Sequence, residues 1–269
     1  MKSTWVLAQT EQCGDPAGNL AQARKAVKEA VAAYHPDVMV FPERFSSLYP
    51  NGTDDARTLA AAQELDGPFV TGMRELARLN GLWMIFGFVR RTEEDDGHVY
   101  NCTVVLDAAG EIVSVYHKTH LYDAFGYRES DLVKAGDRLF APVDTPFGRI
   151  GLFVCYEVRF PEVARCQTLQ GAEILVMPTA WMKGDLKSHH FRTLITARAI
   201  ENTVYMVACN QVGADTIGES VVVDPMGVPV AAAGAAPTLL CAHIDTDRVA
   251  AVREKLPSCK DRRPELYTV

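Results

Sequence analysis

Between Pro146 and Ala180 the chain reads PFGRIGLFVCYEVRFPEVARCQTLQGAEILVMPTA, and the order of residues predicts one local arrangement. The apolar run Arg149 to Val154, entered through a Pro-Phe-Gly turn, has the pattern of a strand buried on both faces. Pro161 suits the first turn of a helix, Val163, Ala164, Gln167 and Leu169 continue it, and Gly171 stops it before a second apolar strand, Ile174 to Met177. In a strand–turn–helix–strand unit the turn after the first strand lies at the carboxyl edge of the sheet, where open α/β folds place their sites. Cys155 occupies that turn. Two readings stand at this point: a presented thiol, or the small packed hydrophobe that a free cysteine usually is.

The rest of the chain alternates in the same way. Thr4 to Ala8 and Val38 to Phe41 read as strands flanking a helix whose apolar residues Leu20, Ala23, Val27, Ala30, Val31 and Tyr34 recur at helical spacing. The second strand runs into Pro42-Glu43, so a carboxylate closes it much as Cys155 closes its own strand. Helical segments are expected over Leu59 to Leu65 and Phe69 to Leu79, and a strand over Leu82 to Val89. Glu93 to Gly97 reads as a charged turn. Tyr100 to Leu106 and Glu111 to Tyr116, joined by Asp107-Ala108-Ala109-Gly110, predict a hairpin that delivers His117-Lys118. Thr119 to Asp137 has no period and reads as a long loop, a kind of segment that is often functional. After the central unit come a helix over Ser188 to Asn202 and a strand over Val204 to Cys209. Ser220 to Val223 and Leu239 to Ile244 are expected to form a final antiparallel hairpin, with a short helix from about Asp245. No linker or composition break divides residues 1–269, which are expected to form one α/β domain. Strand order does not follow from these patterns.

Acidic residues outnumber basic ones, 34 to 27, for a net charge of −7. That disfavours nonspecific attraction to nucleic acid or an anionic membrane and leaves a small molecule as the expected partner. The opening MKSTWVLAQT lacks the basic segment and long apolar core of a signal peptide, and no apolar run approaches membrane-spanning length, so a cytoplasmic protein is expected. The seven cysteines are scattered singly and are expected to be reduced thiols.

A cysteine nucleophile needs a base or a cation beside it, because only a few per cent of a free thiol is ionised at neutral pH. His117, His120, His189 and His190 are available, none in a diagnostic context. His117-Lys118-Thr119-His120 is a loose metal pair with no accompanying ligand set, so no metal is expected. More specific is an ordered set: Phe41-Pro42-Glu43, then His117-Lys118-Thr119-His120-Leu121, then Cys155-Tyr156-Glu157-Val158-Arg159-Phe160-Pro161-Glu162. With Tyr127-Arg128-Glu129-Ser130, Pro178-Thr179-Ala180-Trp181, Arg198-Ala199-Ile200-Glu201-Asn202 and Val223-Asp224-Pro225-Met226-Gly227, the chain resembles the nitrilase superfamily of carbon-nitrogen hydrolases over nearly its full length.

The resemblance implies a four-layer α-β-β-α sandwich with two face-to-face mixed β-sheets. It also implies a Glu-Lys-Cys triad, placed on Glu43, Lys118 and Cys155, with Glu129 as a second active-site glutamate. In this scheme Glu43 moves protons, while Lys118 and the Tyr156 amide stabilise an oxyanion. Trp181 and Phe125 are candidates for the pocket wall. Arg159 and Glu162 are read as a charged pair holding the nucleophile turn and stay outside the catalytic set. No cofactor is implied, and a homodimer or larger homo-oligomer is. The expected activity is hydrolysis of a small, carboxylate-bearing amide to the acid and ammonia, nearest the ω-amidase and deaminated glutathione amidase branches. Nitrile or N-carbamoyl hydrolysis with the same residues stays open, as does a noncatalytic scaffolding role. One departure matters: many amidase members have Cys-Tyr-Asp where this chain has Cys155-Tyr156-Glu157, and the extra methylene is expected to act on the pocket wall.

Overall fold

The computed structural model describes residues 1–11, 13–48, 55–93 and 96–267. In chain order the elements are β1 (Lys2–Gln9), α1 (Pro16–Tyr34), β2 (Val38–Val40), α2 (Asp55–Ala61), α3 (Pro68–Asn80), β3 (Trp83–Arg91), β4 (Val99–Leu106) and β5 (Ile112–His117). Two-residue strands β6 (Asp123–Ala124) and β7 (Tyr127–Arg128) follow, then β8 (Val143–Thr145), β9 (Gly148–Leu152) and α4 (Pro161–Leu169). The chain continues with β10 (Ile174–Thr179), α5 (Lys187–Asn202), β11 (Tyr205–Asn210), β12 (Val221–Val223), β13 (Pro229–Ala232), β14 (Thr238–Asp245) and α6 (Thr246–Lys255). Among the described residues, two six-stranded sheets form, in the orders β14-β1-β2-β3-β4-β5 and β13-β12-β11-β10-β9-β8. Each has a parallel centre, β1-β2-β3 in one and β9-β10-β11 in the other, with antiparallel strands outside it.

Alternation along the central strands explains the layering. Trp5 and Leu7 of β1, Val38 and Val40 of β2, Ile174 and Val176 of β10, and Tyr205 and Val207 of β11 all enter one buried cluster between the sheets. Their neighbours point the other way. Val6, Ala8 and Met39 pack on Ala23, Val27, Phe69 and Met73 of α1 and α3. Leu175, Met177 and Met206 pack on Val163, Phe191 and Ile195 of α4 and α5. Strands with apolar residues on both faces therefore demand a layer on each side, and the result is the expected α-β-β-α sandwich. Each fully buried Val, Leu or Phe contributes about 1.5–3 kcal/mol of transfer free energy to that arrangement. Asp15, accepting from the Gly18 N–H at 2.9 Å, and Pro16 start α1, and Asp245 caps α6 near the predicted position.

Three expectations need correction. Helix α2 ends at Ala61 and does not run to Leu65, because Gln63 leaves the helix to pair with β3: its N–H reaches Val89 O at 3.2 Å and its carbonyl accepts from Arg91 at 3.1 Å. Strand β12 does not pair with Leu239–Ile244. Its partner is β13, across the Asp224–Gly227 turn, whereas β14 pairs with β1 in the other sheet. The segment Thr119–Asp137 is not featureless, since it contains the β6–β7 hairpin and a 3-10 turn at Glu129–Asp131. Of the predicted charged turn, Glu94 and Asp95 lie outside the described residues. Among the described residues no helix is long and apolar enough to cross a membrane.

Candidate active site

Parallel strands end where the two sheets meet, and the predicted residues converge there. Glu43 follows β2, Lys118 follows β5, and Glu129 opens the 3-10 turn after β7. Cys155 follows β9 and opens a 3-10 turn, Cys155–Arg159, with φ +48°, a left-handed conformation that costs a non-glycine residue about 1–2 kcal/mol. The turn at Glu43 is packed closely against β3. A Cβ on Gly87 would lie 2.4 Å from the Arg44 nitrogen and 2.8 Å from the Glu43 Cα, so only glycine lets the chain pass.

Lys118 Nζ donates to Glu43 Oε1 at 2.9 Å and to Glu129 Oε2 at 2.8 Å, with all three side chains buried. Asn101 of β4 joins the same carboxylates, donating to Glu43 Oε1 at 2.8 Å and Glu129 Oε1 at 2.9 Å. The second sheet contributes the Ala180 N–H, which donates to Glu43 Oε2 at 2.8 Å. The Tyr122 N–H donates to Glu129 Oε2 at 2.7 Å. One ammonium thus faces two fixed carboxylates. Burial lowers the Lys118 pKa, but Glu129, Glu43 and the neighbouring Cys155 outweigh it and hold the lysine well above its ordinary value. Glu129 is pushed up by burial and pulled down further by Lys118 and Asn101, so it is held below the usual carboxylate range. Burial pushes the Cys155 thiol up to about 12, aided by the negative charge of Glu43 and opposed by Lys118 and the Thr179 hydroxyl. A thiol of this kind rests protonated, so its attack on a carbonyl carbon requires a base in contact with it, and the Glu43 carboxylate is there.

These groups open onto a cavity of about 470 Å³, lined by Glu43, Lys118, Glu129 and Cys155. Tyr156, Trp181 and Phe125 also line it. Trp181 is buried, its backbone N–H donating to Asn210 Oδ1 at 2.9 Å and its indole N–H to the Lys187 carbonyl at 3.0 Å, whereas Phe125 is 72% exposed and marks the mouth. Among the described residues, no three His, Cys, Asp or Glu side chains converge as metal ligands would.

The profile of the carbon-nitrogen hydrolase family matches residues 7–254. The chain belongs to that family. A deaminated glutathione amidase of Escherichia coli is 40% identical to this carbon-nitrogen hydrolase, over 84% of this chain and 86% of the relative. The human deaminated glutathione amidase is 36% identical, over 97% of this chain and 83% of its own. A Saccharomyces cerevisiae member of branch 10 of the nitrilase superfamily has the same fold, with TM-score 0.86, 26% identity and 97% coverage of both chains.

The effect expected of Glu157 is different in this hydrolase. Its side chain is fully buried and absent from the cavity wall. Oε1 accepts from the Tyr116 hydroxyl at 2.6 Å, the Thr119 hydroxyl at 2.6 Å and the Thr119 N–H at 3.0 Å, while Oε2 accepts from the Val154 N–H at 2.6 Å. Glu157 therefore ties the turn that begins at Cys155 to the segment after Lys118. Burial raises its pKa, but the His120, Thr119 and Tyr116 donors overcome this and hold it below its ordinary value. A carboxyl group with a depressed folded pKa stabilises the fold above the unfolded pKa of ~4.3, and that contribution is lost as pH falls through the folded value. In Glu157→Gln an NH₂ group must face one of these donors. We expect a loss of about 1–3 kcal/mol at pH 7, read as a melting temperature several degrees lower. The gap to wild type should narrow as the solution is acidified below pH ~4. A gap that is constant with pH would show that the carboxylate charge is not what holds the turn.

Two further residues, Asn101 and Lys187, escaped the sequence reading, and Arg159 sits differently from the expectation. Asn101 had a signal, a lone amide in the apolar strand VYNCTVVL, where a buried polar side chain needs partners. Arg159 does not pair with Glu162 among the described residues. It lies 5.1 Å from the Trp181 ring on the cavity wall, with Nε and Nη2 buried and without hydrogen-bond partners. Lys187, at the start of α5, also lines the cavity and carried no signal in the sequence.

Proposed function

We propose that this hydrolase is a cysteine-dependent amidase that cleaves a small, carboxylate-bearing amide through a thioester. The observation that carries the reading is the Lys118 ammonium bridging Glu43 and Glu129 beside the Cys155 thiol at the edge of an open cavity. In the first step the Cys155 sulfur adds to the amide carbon while its proton passes to Glu43. The carbonyl electron pair becomes an oxyanion, stabilised by Lys118 and the Tyr156 N–H. Glu43 then returns the proton to the amide nitrogen, the C–N bond breaks, and ammonia or an amine leaves. Water attacks the thioester with Glu43 again as base, and the acid departs as the sulfur recovers its proton. Glu129 orients Lys118 and keeps it charged, and Asn101 fixes the two carboxylates. No step calls for a metal.

The carboxylate on the substrate is inferred from Arg159. Buried guanidinium N–H groups without partners are costly, and a carboxylate entering the cavity would supply the acceptors. The relatives named deaminated glutathione amidases support this reading, since glutathione and its derivatives carry carboxylates at their ends.

The test is a panel of matched amides, nitriles and N-carbamoyl compounds, with product acids and released nitrogen quantified and the trapped intermediate weighed. We expect carboxylate-bearing amides to be cleaved fastest, an acyl mass on Cys155, and full activity in EDTA. Nitriles turned over much faster than the amides would overturn the amidase assignment, and activity lost in EDTA and restored by zinc would overturn the metal-independent mechanism.

A further inference from the structure

Strand β10 ends in Pro178-Thr179, and its ladder with β9 decides what stands beside that end. Ile174 pairs with Ile150, Leu175 with Gly151 and Val176 with Leu152, and the Phe153 N–H donates to the Val176 carbonyl at 3.1 Å. The same register, carried three residues past Val176 and Leu152, puts Thr179 opposite Cys155, where β9 has given way to the 3-10 turn. Side chains alternate along a strand, so Thr179 follows Leu175 and Met177 on the face that packs against α4 and α5. A valine would continue this apolar row. The chain places a hydroxyl there instead.

That hydroxyl is uncommitted at rest. Thr179 is fully buried, and among the described residues nothing completes a hydrogen bond to its Oγ1. The Cys155 sulfur is within its reach, and the hydroxyl acts on it in the direction that favours the ionised form. A neutral thiol is a weak acceptor, whereas a thiolate accepts strongly. The hydrogen bond is therefore weak while the sulfur carries its proton and strong once the sulfur is charged. An interaction gained only in the reacting state lowers a barrier, and one made equally at rest does not.

The position is also rigid. Asn210 of β11 opposes Thr179 in the ladder, accepts from the Trp181 N–H at 2.9 Å and donates to the Gly218 carbonyl at 2.6 Å. The next residue, Ala180, donates its N–H to Glu43 Oε2 at 2.8 Å. One strand end thus faces both partners of the first proton transfer, the sulfur that gives the proton and the carboxylate that takes it. Glu43 and Lys118 are the charged groups that act on the same sulfur, in opposite senses.

We infer that Thr179 is a catalytic residue whose hydroxyl donates a hydrogen bond to the Cys155 sulfur as that sulfur becomes charged, both when its proton passes to Glu43 and when water displaces it from the thioester. The threonine keeps its own proton throughout. The inference rests on the thioester reading and adds a donor for the sulfur, distinct from the donors to the oxyanion.

Alkylation of Cys155 by iodoacetamide tests the donor without any substrate, with the modified residue identified by peptide mass in wild type, Thr179→Val and Thr179→Ser. At a fixed pH below the thiol's own pKa, Thr179→Val should slow alkylation about three- to tenfold, since the thiolate population falls while the less stabilised thiolate becomes a somewhat better nucleophile. Thr179→Ser should keep most of the rate. The melting temperature of Thr179→Val should equal or exceed that of wild type, because the variant keeps the shape and removes an unpartnered buried hydroxyl. With the amide that wild type cleaves fastest, kcat should fall about tenfold in Thr179→Val with KM little changed, the scale of one hydrogen bond to a charged group. Equal alkylation rates in wild type and Thr179→Val overturn the inference, and they leave the amidase reading intact if amides are still cleaved. Equal slowing in Thr179→Val and Thr179→Ser also overturns it, and assigns the residue to packing. Alkylation slowed in Thr179→Val and restored in Thr179→Ser sustains the donor even where no amide is cleaved, an outcome that removes the amidase reading alone.

Discussion

Cys155→Ala is expected to abolish turnover, with kcat falling on the order of 10⁶-fold, the scale seen when a covalent nucleophile is removed. The expectation follows from the division of labour in the site. In the proposed mechanism Glu43 and Lys118 move protons and stabilise charge, but only the sulfur forms a bond to carbon, and no neighbouring group replaces it. The fold should survive. The substitution removes one sulfur at a cavity edge, and the left-handed backbone at φ +48° is held by the surrounding 3-10 turn and by Glu157 on Val154. A melting temperature within a few degrees of wild type would confirm that the loss is chemical. The other six cysteines give the control. Cys102 and Cys209 are buried with their thiols pushed well up by desolvation, and Cys13, Cys166, Cys241 and Cys259 are absent from the cavity wall. Replacing any of these should leave acylation on Cys155, and an acyl mass mapped to one of them would overturn the assignment. Substantial turnover by Cys155→Ala would remove the thioester route altogether.

What the sequence made legible, and what it did not, divides by distance along the chain. The strand–turn–helix–strand unit around Cys155 was readable because each signal, a Pro at a helix start or a Gly at its end, is local. The pairing of β14 with β1 was not, because Lys2 opposes Asp245 and nothing within either strand encodes that register. Both Val221–Val223 and Leu239–Ile244 are apolar enough to look like partners, and the choice between them is made by the packing of two sheets. The positions of Glu43, Lys118, Glu129 and Cys155 were legible through their motifs. Their support was less so. Asn101 donates to two carboxylates that come from different loops, Glu157 acts through the segment after Lys118, and Lys187 meets Tyr122 from another layer of the fold. Such partners are set by three-dimensional proximity, which no period of 2 or 3.6 residues reports.

The second large effect is expected at Lys118, and it should alter both rate and stability. In Lys118→Met the oxyanion loses its fixed ammonium, for a loss on the order of 10²- to 10³-fold in kcat. The same change leaves two buried carboxylates, Glu43 and Glu129, sharing Asn101 with no cation between them. Breaking a buried ion pair from one side costs about 3–5 kcal/mol. The pH dependence should also change sign. In the wild type Glu129 has a depressed pKa, so its contribution is present above the unfolded value of ~4.3 and is lost as the solution is acidified. Without Lys118, burial and mutual repulsion raise the carboxylate pKa values. The folded variant then binds more protons than its unfolded chain, and its stability should fall as pH rises from 4 toward 7. Denaturant midpoints measured across that interval test the point directly. Parallel curves for wild type and variant would mean that Lys118 does not control the charge of the two glutamates. Lys118→Arg should not restore the rate, since a planar five-donor fork does not fit a site built for a compact ammonium held at 2.8 and 2.9 Å by two carboxylates. Full activity in that variant would place the oxyanion's stabilisation elsewhere, with the Tyr156 N–H as the remaining donor.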